Sequence, residues 1–382
     1  MGGVPRQWKE RFGRKGEAID ESLKAVLNET LGFQKLLVIN MPERTDRRDA
    51  VTLAAGVSNM KIEFVMGVRG ESVPEVALPP GVYQNLSTAL IFEDDVDWDV
   101  RLRPQLQAFA LASRWLSDDP KISKGISYYS IGVTQNPETA ENSIHNSSSL
   151  NPISKDLFSV SLPSAMMDVQ HRDPRISPYG DPENWDLLWL GHCGAGFPRQ
   201  PADAEAIGRH NILLADPNDP TVPMPSYLRA HPFGPLDALG ETHPPHTRVY
   251  HRASGGALCT VAYAVSQRGA RRLLHEFGIK KWSRIWDVEM GDWCAGDDFA
   301  AEKRDKAMEE RKKRGQRKCI TSQPPIFAHH HPPGGESDIG GLGGGYARNI
   351  ETKYVRLSTR MNLEALLRGD PEETLVDQWP DY

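Results

Sequence analysis

The sequence predicts an α/β protein with a mostly parallel β-sheet, folded as a single domain with long loop insertions. Three observations lead to this fold. Strand-like and helical segments alternate along the chain, which is typical of a layered α/β sheet. Several strand-like segments are continuous apolar runs, as in sheets buried on both faces. The 382 residues include 33 glycines and 29 prolines, which indicates many loops in a globular chain.

The apolar runs and their boundaries place the elements in order. An N-terminal polar extension, residues 1–32, contains one short helical stretch at 19–31. Helices are expected up to residue 55, at 103–116 and at 266–277, the last with Ser266 as its N-cap. Strands are expected at 35–40, 61–65, 88–92, 126–131, 185–190, 257–265 and 320–328.

The remaining segments read as connections. Residues 133–185 and 198–248 are rich in proline and polar residues and are expected to be long loops outside the core. Residues 303–318 are strongly charged, as in a solvated helix or loop. Residues 336–382 form a glycine-rich polar tail that we expect to be poorly ordered. The folded domain is therefore predicted at 33–335.

Composition excludes several classes of function. Lys and Arg number 45 against 51 Asp and Glu, a net charge of −6, which argues against a nucleic-acid-binding protein. No apolar run approaches the roughly 18 residues of a membrane helix, and the basic N-terminus lacks the apolar stretch of a signal peptide. We therefore expect no membrane span and a soluble chain. Four cysteines, none in a C-x-x-C pair, are too few for a disulfide scaffold, and Cys193 is expected to be a small buried residue.

The segment with the most chemical content is A-L-I-F-E-D-D-V-D-W-D, residues 89–99. An apolar strand leads directly into clustered carboxylates, at the strand end where ligands bind in open α/β sheets. Carboxylates held together repel one another, and a hard divalent cation such as magnesium or manganese compensates their charge. The alternative is a solvated acidic turn.

Other candidates are weaker, and each has a structural alternative. The run His329-His330-His331 is either a source of imidazole ligands or an exposed loop. His192 and Cys193 follow the strand at 185–190. Either of them faces a functional site or is a buried structural residue. Three tryptophans form either a sugar-binding wall or part of the core: Trp282, Trp286 and Trp293.

The order of the motifs resembles glycosyltransferase family 25, which includes lipopolysaccharide and procollagen galactosyltransferases, and its fungal branch most closely. The segments that carry the resemblance are I-N-M-P-E-R-T-D-R-R (39–48), G-V-R-G (67–70), residues 89–99, S-P-Y-G…W-D-L-L-W-L-G-H-C-G (177–194), A-Y-A-V-S-Q-R-G-A-R-R-L-L (262–274) and Q-P-P-I-F-A-H-H (323–330). Together they span about residues 33–340.

The resemblance implies a GT-A-type, Rossmann-like fold that uses a UDP-sugar and manganese (or magnesium). It implies transfer of a hexose, with galactose as the first candidate, to a hydroxyl of a glycan or glycoprotein. Transfer is expected to proceed with inversion at the anomeric carbon, in the Golgi or secretory lumen. The residues expected at the donor and its cation are Arg44, Arg47, Arg48, Glu93 and Asp94, with metal ligands among Asp95, Asp97, His329 and His330. For the general base that inversion requires, Asp287 is the first candidate and Glu289 the second.

One segment departs from the family pattern. Between Gly67 and Ser87 the chain is short and carries Pro74, Pro79 and Pro80, which discourage the helix that usually connects parallel strands. The junction near 81–85 reads as a deletion. The deletion supports one alternative function, a catalytically impaired family member that binds sugar or protein. The acidic cluster also allows a second, a metal-dependent phosphohydrolase or nucleotidyltransferase.

Overall fold

A computed structural model describes the larger part of the chain. The described residues are 21–68, 86–117, 159–162, 177–198, 209–229, 236–237, 239–240, 243–253, 256–280, 285–296, 317–331 and 351–381. The predicted strand at 126–131, the junction at 81–85, Trp282 and nearly all of the charged segment 303–318 lie outside these residues.

Fourteen strands are present in the described residues. They are β1 (Lys35–Asn40), β2 (Ile62–Met66), β3 (Thr88–Glu93), β4 (Val96–Trp98), β5 (Ser159–Ser161), β6 (Leu187–Gly191), β7 (Gly194–Ala195), β8 (Leu213–Asp216), β9 (Arg248–Arg252), β10 (Ala257–Leu258), β11 (Ala262–Ser266), β12 (Cys319–Gln323), β13 (Phe327–His331) and β14 (Glu351–Thr352).

Twelve of these strands form one sheet, in the order β2-β1-β3-β11-β6-β12-β9-β8-β5, with β13, β4 and β14 joined beside β6; β7 and β10 form a separate pair. The pairings make the sheet mixed. Seven of the nine strands in this order run in one direction, and β9 and β11 run against them. The expected α/β class with a largely parallel sheet is confirmed at this level.

Five α-helices accompany the sheet in the described residues: α1 (Thr45–Val57), α2 (Leu102–Ser117), α3 (Gln267–Leu273), α4 (Trp286–Ala295) and α5 (Leu363–Arg368). The predicted cap of α3 is confirmed, because the Ser266 side chain accepts a hydrogen bond from the Gly269 N–H at 3.0 Å. A π-helical turn, Leu274–Lys280, continues α3. None of the described helices is both long and apolar enough to cross a membrane.

The central strands are buried on both faces, as their continuous apolar sequences predict. In β6, Leu188 and Leu190 belong to the core that also contains residues of α1 and α2. Leu187 and Trp189 point to the opposite face and pack with residues of α3 and α4. Because successive side chains of a strand point to opposite faces, an apolar run fits only a strand covered on both sides.

Both termini are more ordered than the sequence predicts. Residues Glu21–Leu27 form a 3-10 helix within the helical stretch expected at 19–31, and Leu23 and Val26 are buried in the core, so this part of the expected polar extension belongs to the folded domain. At the other end, β14 pairs with β13, and Ser358 and Thr359 are completely buried. The expectation of a poorly ordered tail is therefore wrong for 351–381, whereas 336–350 lies outside the described residues.

The segments expected to be loops also contribute to the sheet. Strands β5 and β8 come from 133–185 and 198–248, and they pair in parallel at one edge. Their short length and the prolines around them hide them from pattern analysis.

Two expected strands are interrupted. Residues 257–265 divide into β10 and β11, and Cys259 between them has a left-handed backbone with φ of 63°. Residues 320–328 divide at Pro324 and Pro325, which have no N–H for strand pairing, and the chain continues as β13. The first break lies next to the acidic turn, because the Glu93 N–H donates to the Val261 carbonyl at 3.0 Å.

Candidate metal centre

The candidate site lies at the carboxyl ends of the neighbouring parallel strands β1 and β3. The register pairs Ile39 with Glu93, so Asn40 and the acidic turn leave the sheet side by side. Asn40 Nδ2 donates a hydrogen bond to Asp94 Oδ2 at 2.8 Å. Ligands bind at this edge in open α/β sheets, because the strand ends leave a crevice there.

Of the three candidate arginines, Arg47 reaches the acidic turn. Its Nη1 lies 2.9 Å from Asp94 Oδ1 and 3.1 Å from Asp95 Oδ2. Arg44 pairs with Asp46 at 2.8 Å, and the Arg48 guanidinium lies 4.5 Å from the centre of the Phe64 ring. Arg47 therefore lies at the carboxylates of the acidic turn.

Glu93, Asp95 and His329 converge at the turn, with their ligand atoms all within 4.8 Å of one another. His329 Nε2 lies 3.0 Å from Glu93 Oε2 and 3.8 Å from Asp95 Oδ1. The Thr260 hydroxyl donates to the other oxygen of Glu93 at 2.5 Å. Two carboxylates and one imidazole therefore form a compact oxygen and nitrogen ligand group, half-buried at the sheet edge.

The electrostatics of this group are strongly coupled. Burial by itself lowers the pKa of the His329 imidazole, but the charges of Asp95 and Glu93 outweigh it and raise this pKa to about 9. Burial raises the pKa of Asp95, yet the positive charges of His329, Arg47 and Arg360 bring it below its usual value. Without a metal, the imidazole is therefore protonated at neutral pH and pairs with two carboxylates.

One carboxylate oxygen of the group lacks a hydrogen-bond donor and is suited to bind a metal cation. Asp95 Oδ1 is buried and accepts no hydrogen bond from the described residues. A buried charged oxygen without a donor is costly, and a cation between Asp95, Glu93 and His329 removes that cost. Carboxylate oxygens with one imidazole suit manganese, and also magnesium when substrate oxygens are added. The residues present therefore fit a divalent ion, held by these three side chains.

Asp97 and His330 lie on the other side of the turn. The buried Asp97 carboxylate accepts hydrogen bonds from the hydroxyls of Thr352 (2.7 Å) and Ser358, and from the Arg360 N–H (3.2 Å). His330 Nδ1 lies 3.0 Å from the same threonine hydroxyl. These contacts anchor the C-terminal segment, and neither Asp97 nor His330 belongs to the group of possible metal ligands formed by Glu93, Asp95 and His329 in the described residues.

Strand alternation explains which histidine takes part. In β13, His329 pairs with Val96 of β4 and turns its ring to the acidic group, so His330 turns the opposite way. His331 shares the face of His329, with 5.9 Å between their ring centres. Burial and the charge of His329 lower the pKa of His331 to about 4 and keep it neutral. The resemblance indicates His329 and His330 and does not choose between them.

Asp94 and Arg360 support the turn from behind. Asp94 is buried, and its oxygens are bonded to Asn40 and Arg47, so it positions the turn. Arg360 Nη2 donates to the Asp94 carbonyl at 2.7 Å, and its Nε donates to the Val96 carbonyl at 2.9 Å. Arg360 was missed by sequence reasoning, because a lone arginine in a polar tail carries no recognisable signal.

The two candidates for the general base, Asp287 and Glu289, lie on different faces of helix α4. Asp287 Oδ2 accepts a hydrogen bond from the Cys259 N–H at 2.9 Å, and the next residue, Thr260, binds Glu93. Glu289 is buried and, two positions away on the helix, does not share this face. Close packing fixes α4 here, since a Cβ on Gly291 would lie 2.3 Å from the Ala257 carbonyl oxygen. The structure thus links Asp287 to the metal group through Cys259 and Thr260.

All four cysteines are paired, and Cys193, expected to be a small buried residue, is a half-buried member of a disulfide. Cys193 bonds Cys259, and Cys294 bonds Cys319. The first bridge joins the end of β6 to the loop that carries Thr260. The even number of cysteines is the signal that could have suggested pairing, although spacing alone does not give the partners.

The remaining candidates have structural roles. His192 is buried, its Nε2 donates to the Ser322 carbonyl at 2.9 Å, and burial lowers its pKa to about 4. Trp293 is buried in the core, and Trp286 packs against that core and against Phe277 at 5.1 Å. The core alternative therefore accounts for both tryptophans.

Comparison with known protein families finds no match, and a search of curated proteins finds no significant similarity.

Proposed function

We propose that this protein is a metal-dependent glycosyltransferase that moves a hexose from a UDP-sugar to a hydroxyl of a glycan or glycoprotein. Galactose is the first candidate for the hexose. The observation that carries the proposal is the convergence of Glu93, Asp95 and His329 at the carboxyl end of β3. The resemblance of the motif order to glycosyltransferase family 25 supplies the reaction class, and a GT-A-type fold is part of the proposal.

Glu93, Asp95 and His329 would hold the cation, which supplies Lewis-acid stabilisation of the diphosphate leaving group. The protein's own residues prepare this position. Thr260 orients Glu93 through one oxygen, which leaves the other directed toward His329. Arg47 lies at the same edge, paired with Asp94 and Asp95, and its guanidinium is suited to bind phosphate oxygens of the donor.

Transfer with inversion requires a base that removes the proton from the acceptor hydroxyl. We assign this role to Asp287. Its carboxylate is oriented by the Cys259 N–H and by the N–H of Val288, at 2.9 and 2.8 Å. The acceptor proton moves to an oxygen of this carboxylate as the hydroxyl oxygen attacks the anomeric carbon.

The two disulfides support a location in an oxidising compartment. Disulfides form and persist in secretory and extracellular environments and are rare in the cytosol. The secretory lumen, where glycan and glycoprotein acceptors are found, is the compartment that we propose.

UDP release tests the proposal. Purified protein is incubated with manganese and a panel of UDP-sugars, and wild type is compared with Asp95→Ala and with the control Asp46→Ala, which alters an exposed carboxylate on α1. We expect release that depends on manganese in wild type and control, and at least a 100-fold loss in Asp95→Ala.

Three other outcomes overturn the proposal. Equal release from all variants excludes the acidic group as the catalytic site. Manganese-dependent UDP binding without turnover identifies a non-catalytic sugar-binding protein. Cleavage of simple phosphoesters identifies a phosphohydrolase.

A further inference from the structure

The disulfide between Cys193 and Cys259 lies against His329. The two sulfur atoms and a ring nitrogen of His329 are all within 4.8 Å of one another. Both cysteines are half-buried, so a reductant can reach them. The set of two cysteines and one histidine is a zinc-binding combination once the sulfurs are thiolates.

Backbone contacts hold the two cysteines in place independently of the disulfide. The Cys193 N–H donates to the Leu258 carbonyl at 2.8 Å. The Cys259 carbonyl accepts from Trp189 Nε1 at 2.9 Å, and its N–H donates to Asp287. These contacts over-determine the left-handed backbone of Cys259, whose φ is 63°. Breaking the S–S bond therefore leaves both Cα positions near each other.

The distances allow a metal to enter. Zinc binds thiolate sulfur at about 2.3 Å and imidazole nitrogen at about 2.0 Å in a tetrahedral arrangement, so its ligand atoms lie roughly 3.5–3.8 Å apart. A ring nitrogen of His329 lies within 4.8 Å of both sulfurs, so small side-chain movements reach this separation. The sulfurs must move apart from their bonded distance, which rotation of the two cysteine side chains provides.

We infer that reduction of the Cys193–Cys259 disulfide creates a zinc site formed by Cys193, Cys259 and His329. A dithiol reductant gives two electrons and two protons to the disulfide and itself becomes a disulfide. The two thiols and the protonated His329 imidazole then each lose a proton to solvent as zinc binds, so the ligands are two thiolates and a neutral imidazole. Soft thiolate ligands select zinc over manganese or magnesium. In an oxidising compartment the disulfide persists and the site stays closed.

The second disulfide is an internal control. Cys294 and Cys319 are buried, and among the described residues no third ligand lies close enough to complete a metal group with them. When all four cysteines are reduced, we therefore expect Cys193 and Cys259 to bind metal and the pair Cys294 and Cys319 not to bind it.

Cobalt alone is the spectroscopic probe. Protein reduced with dithiothreitol and freed of it without oxygen is titrated with Co²⁺. We expect one cobalt per chain, with a thiolate-to-cobalt charge-transfer band in the near ultraviolet that Zn²⁺ abolishes. Oxidised protein gives no band. The band falls at least twofold in Cys193→Ser and Cys259→Ser and persists in the double variant Cys294→Ser/Cys319→Ser. The absence of a band in reduced wild type overturns the inference, and so does a band that requires Cys294 or Cys319.

Alkylation of the wild type gives a test that does not depend on the folding of variants. Reduced protein is treated with iodoacetamide with and without Zn²⁺, and the modified cysteines are mapped by mass spectrometry. Zinc should slow the alkylation of Cys193 and Cys259. We expect the factor by which their rates fall to be at least ten times the factor for Cys294 and Cys319. Equal protection of the four, or of none, contradicts the site. Neither experiment contains a sugar nucleotide, so its outcome is distinct from that of the transferase assay.

Discussion

His329 Nε2 lies 3.0 Å from Glu93 Oε2, although 236 positions separate the two residues along the chain. Strand β3 delivers the glutamate, and β13 delivers the histidine by pairing with β4 immediately after the acidic turn. This group of side chains therefore exists only in the folded chain, and a cation that bound to it would couple metal binding to stability.

Asp95 and Asp97 should behave differently although they are two positions apart. We expect Asp97→Asn to lower the free energy of unfolding by about 2–4 kcal/mol, because it disrupts charged hydrogen bonds to buried hydroxyls. Asp95→Asn removes the ion pair with Arg47 and the charge that raises the pKa of His329, and should lower the same free energy by about 1–3 kcal/mol. Urea unfolding followed by circular dichroism measures both changes.

Manganese then separates the two roles. At a concentration 100 times its dissociation constant, a bound ion adds about 2.7 kcal/mol to the free energy of unfolding. This gain should persist in Asp97→Asn and vanish in Asp95→Asn. The reverse pattern would show that Asp97 is a ligand and Asp95 is not.

Thr260 is expected to act by positioning Glu93. Thr260→Val keeps the shape of the side chain but removes the hydroxyl that donates to Glu93 Oε1. Loss of such a supporting hydrogen bond should weaken manganese binding about 10–100-fold, while the free energy of unfolding changes by about 1 kcal/mol. Isothermal titration with Mn²⁺ measures the affinity. Thr52→Val, which removes an exposed hydroxyl on α1, is the matched control and should bind manganese as wild type does.

The raised pKa of His329 predicts a pH dependence of stability in metal-free protein. Its value of about 9 in the folded state exceeds the ordinary value of 6.5, because Asp95 and Glu93 favour the protonated ring over the effect of burial. The contribution is therefore fully present below pH 6.5 and is lost as the pH rises through 9. At about 1.4 kcal/mol per pH unit, the loss reaches about 3 kcal/mol.

Urea unfolding at pH 6, 7.5 and 9.5 with a chelator tests this dependence. His329→Gln should remove most of the slope between pH 6.5 and 9 because glutamine does not titrate. If the variant and the wild type lose stability in parallel, another group is responsible.

The sheet was predictable from sequence to the extent that its strands are apolar runs. Strands β1, β3 and β6 are such runs, and their burial on both faces leaves a clear pattern. Residues 351–381 escape the same reasoning because they are held to Asp97 and to backbone carbonyls largely through hydroxyls and Arg360. Polar contacts of this kind leave no hydrophobic periodicity in the sequence.

The site was predictable as a location but not as a ligand set. The acidic turn follows directly from the strand that precedes it. The choice between Asp95 and Asp97, or between His329 and His330, depends on which face each side chain takes when β4 pairs with β13. That register joins segments more than 200 positions apart, and no local pattern contains it. The cysteine partners depend on tertiary proximity in the same way.

Asp287→Asn is the variant that tests the proposed base. The asparagine amide oxygen can still accept the hydrogen bond from the Cys259 N–H, and only the local bond from the Val288 N–H is lost, so the loop and the metal group should keep their positions. The amide cannot take up a proton, and we expect kcat for sugar transfer to fall about 10²–10⁴-fold. Dissociation constants for manganese and UDP should stay within twofold of wild type, as measured by titration calorimetry. The matched control is Glu289→Gln on the same helix, which should lower kcat much less because its side chain does not share the face that meets Cys259. A larger loss in Glu289→Gln than in Asp287→Asn, at unchanged metal affinity, would transfer the role of base to Glu289.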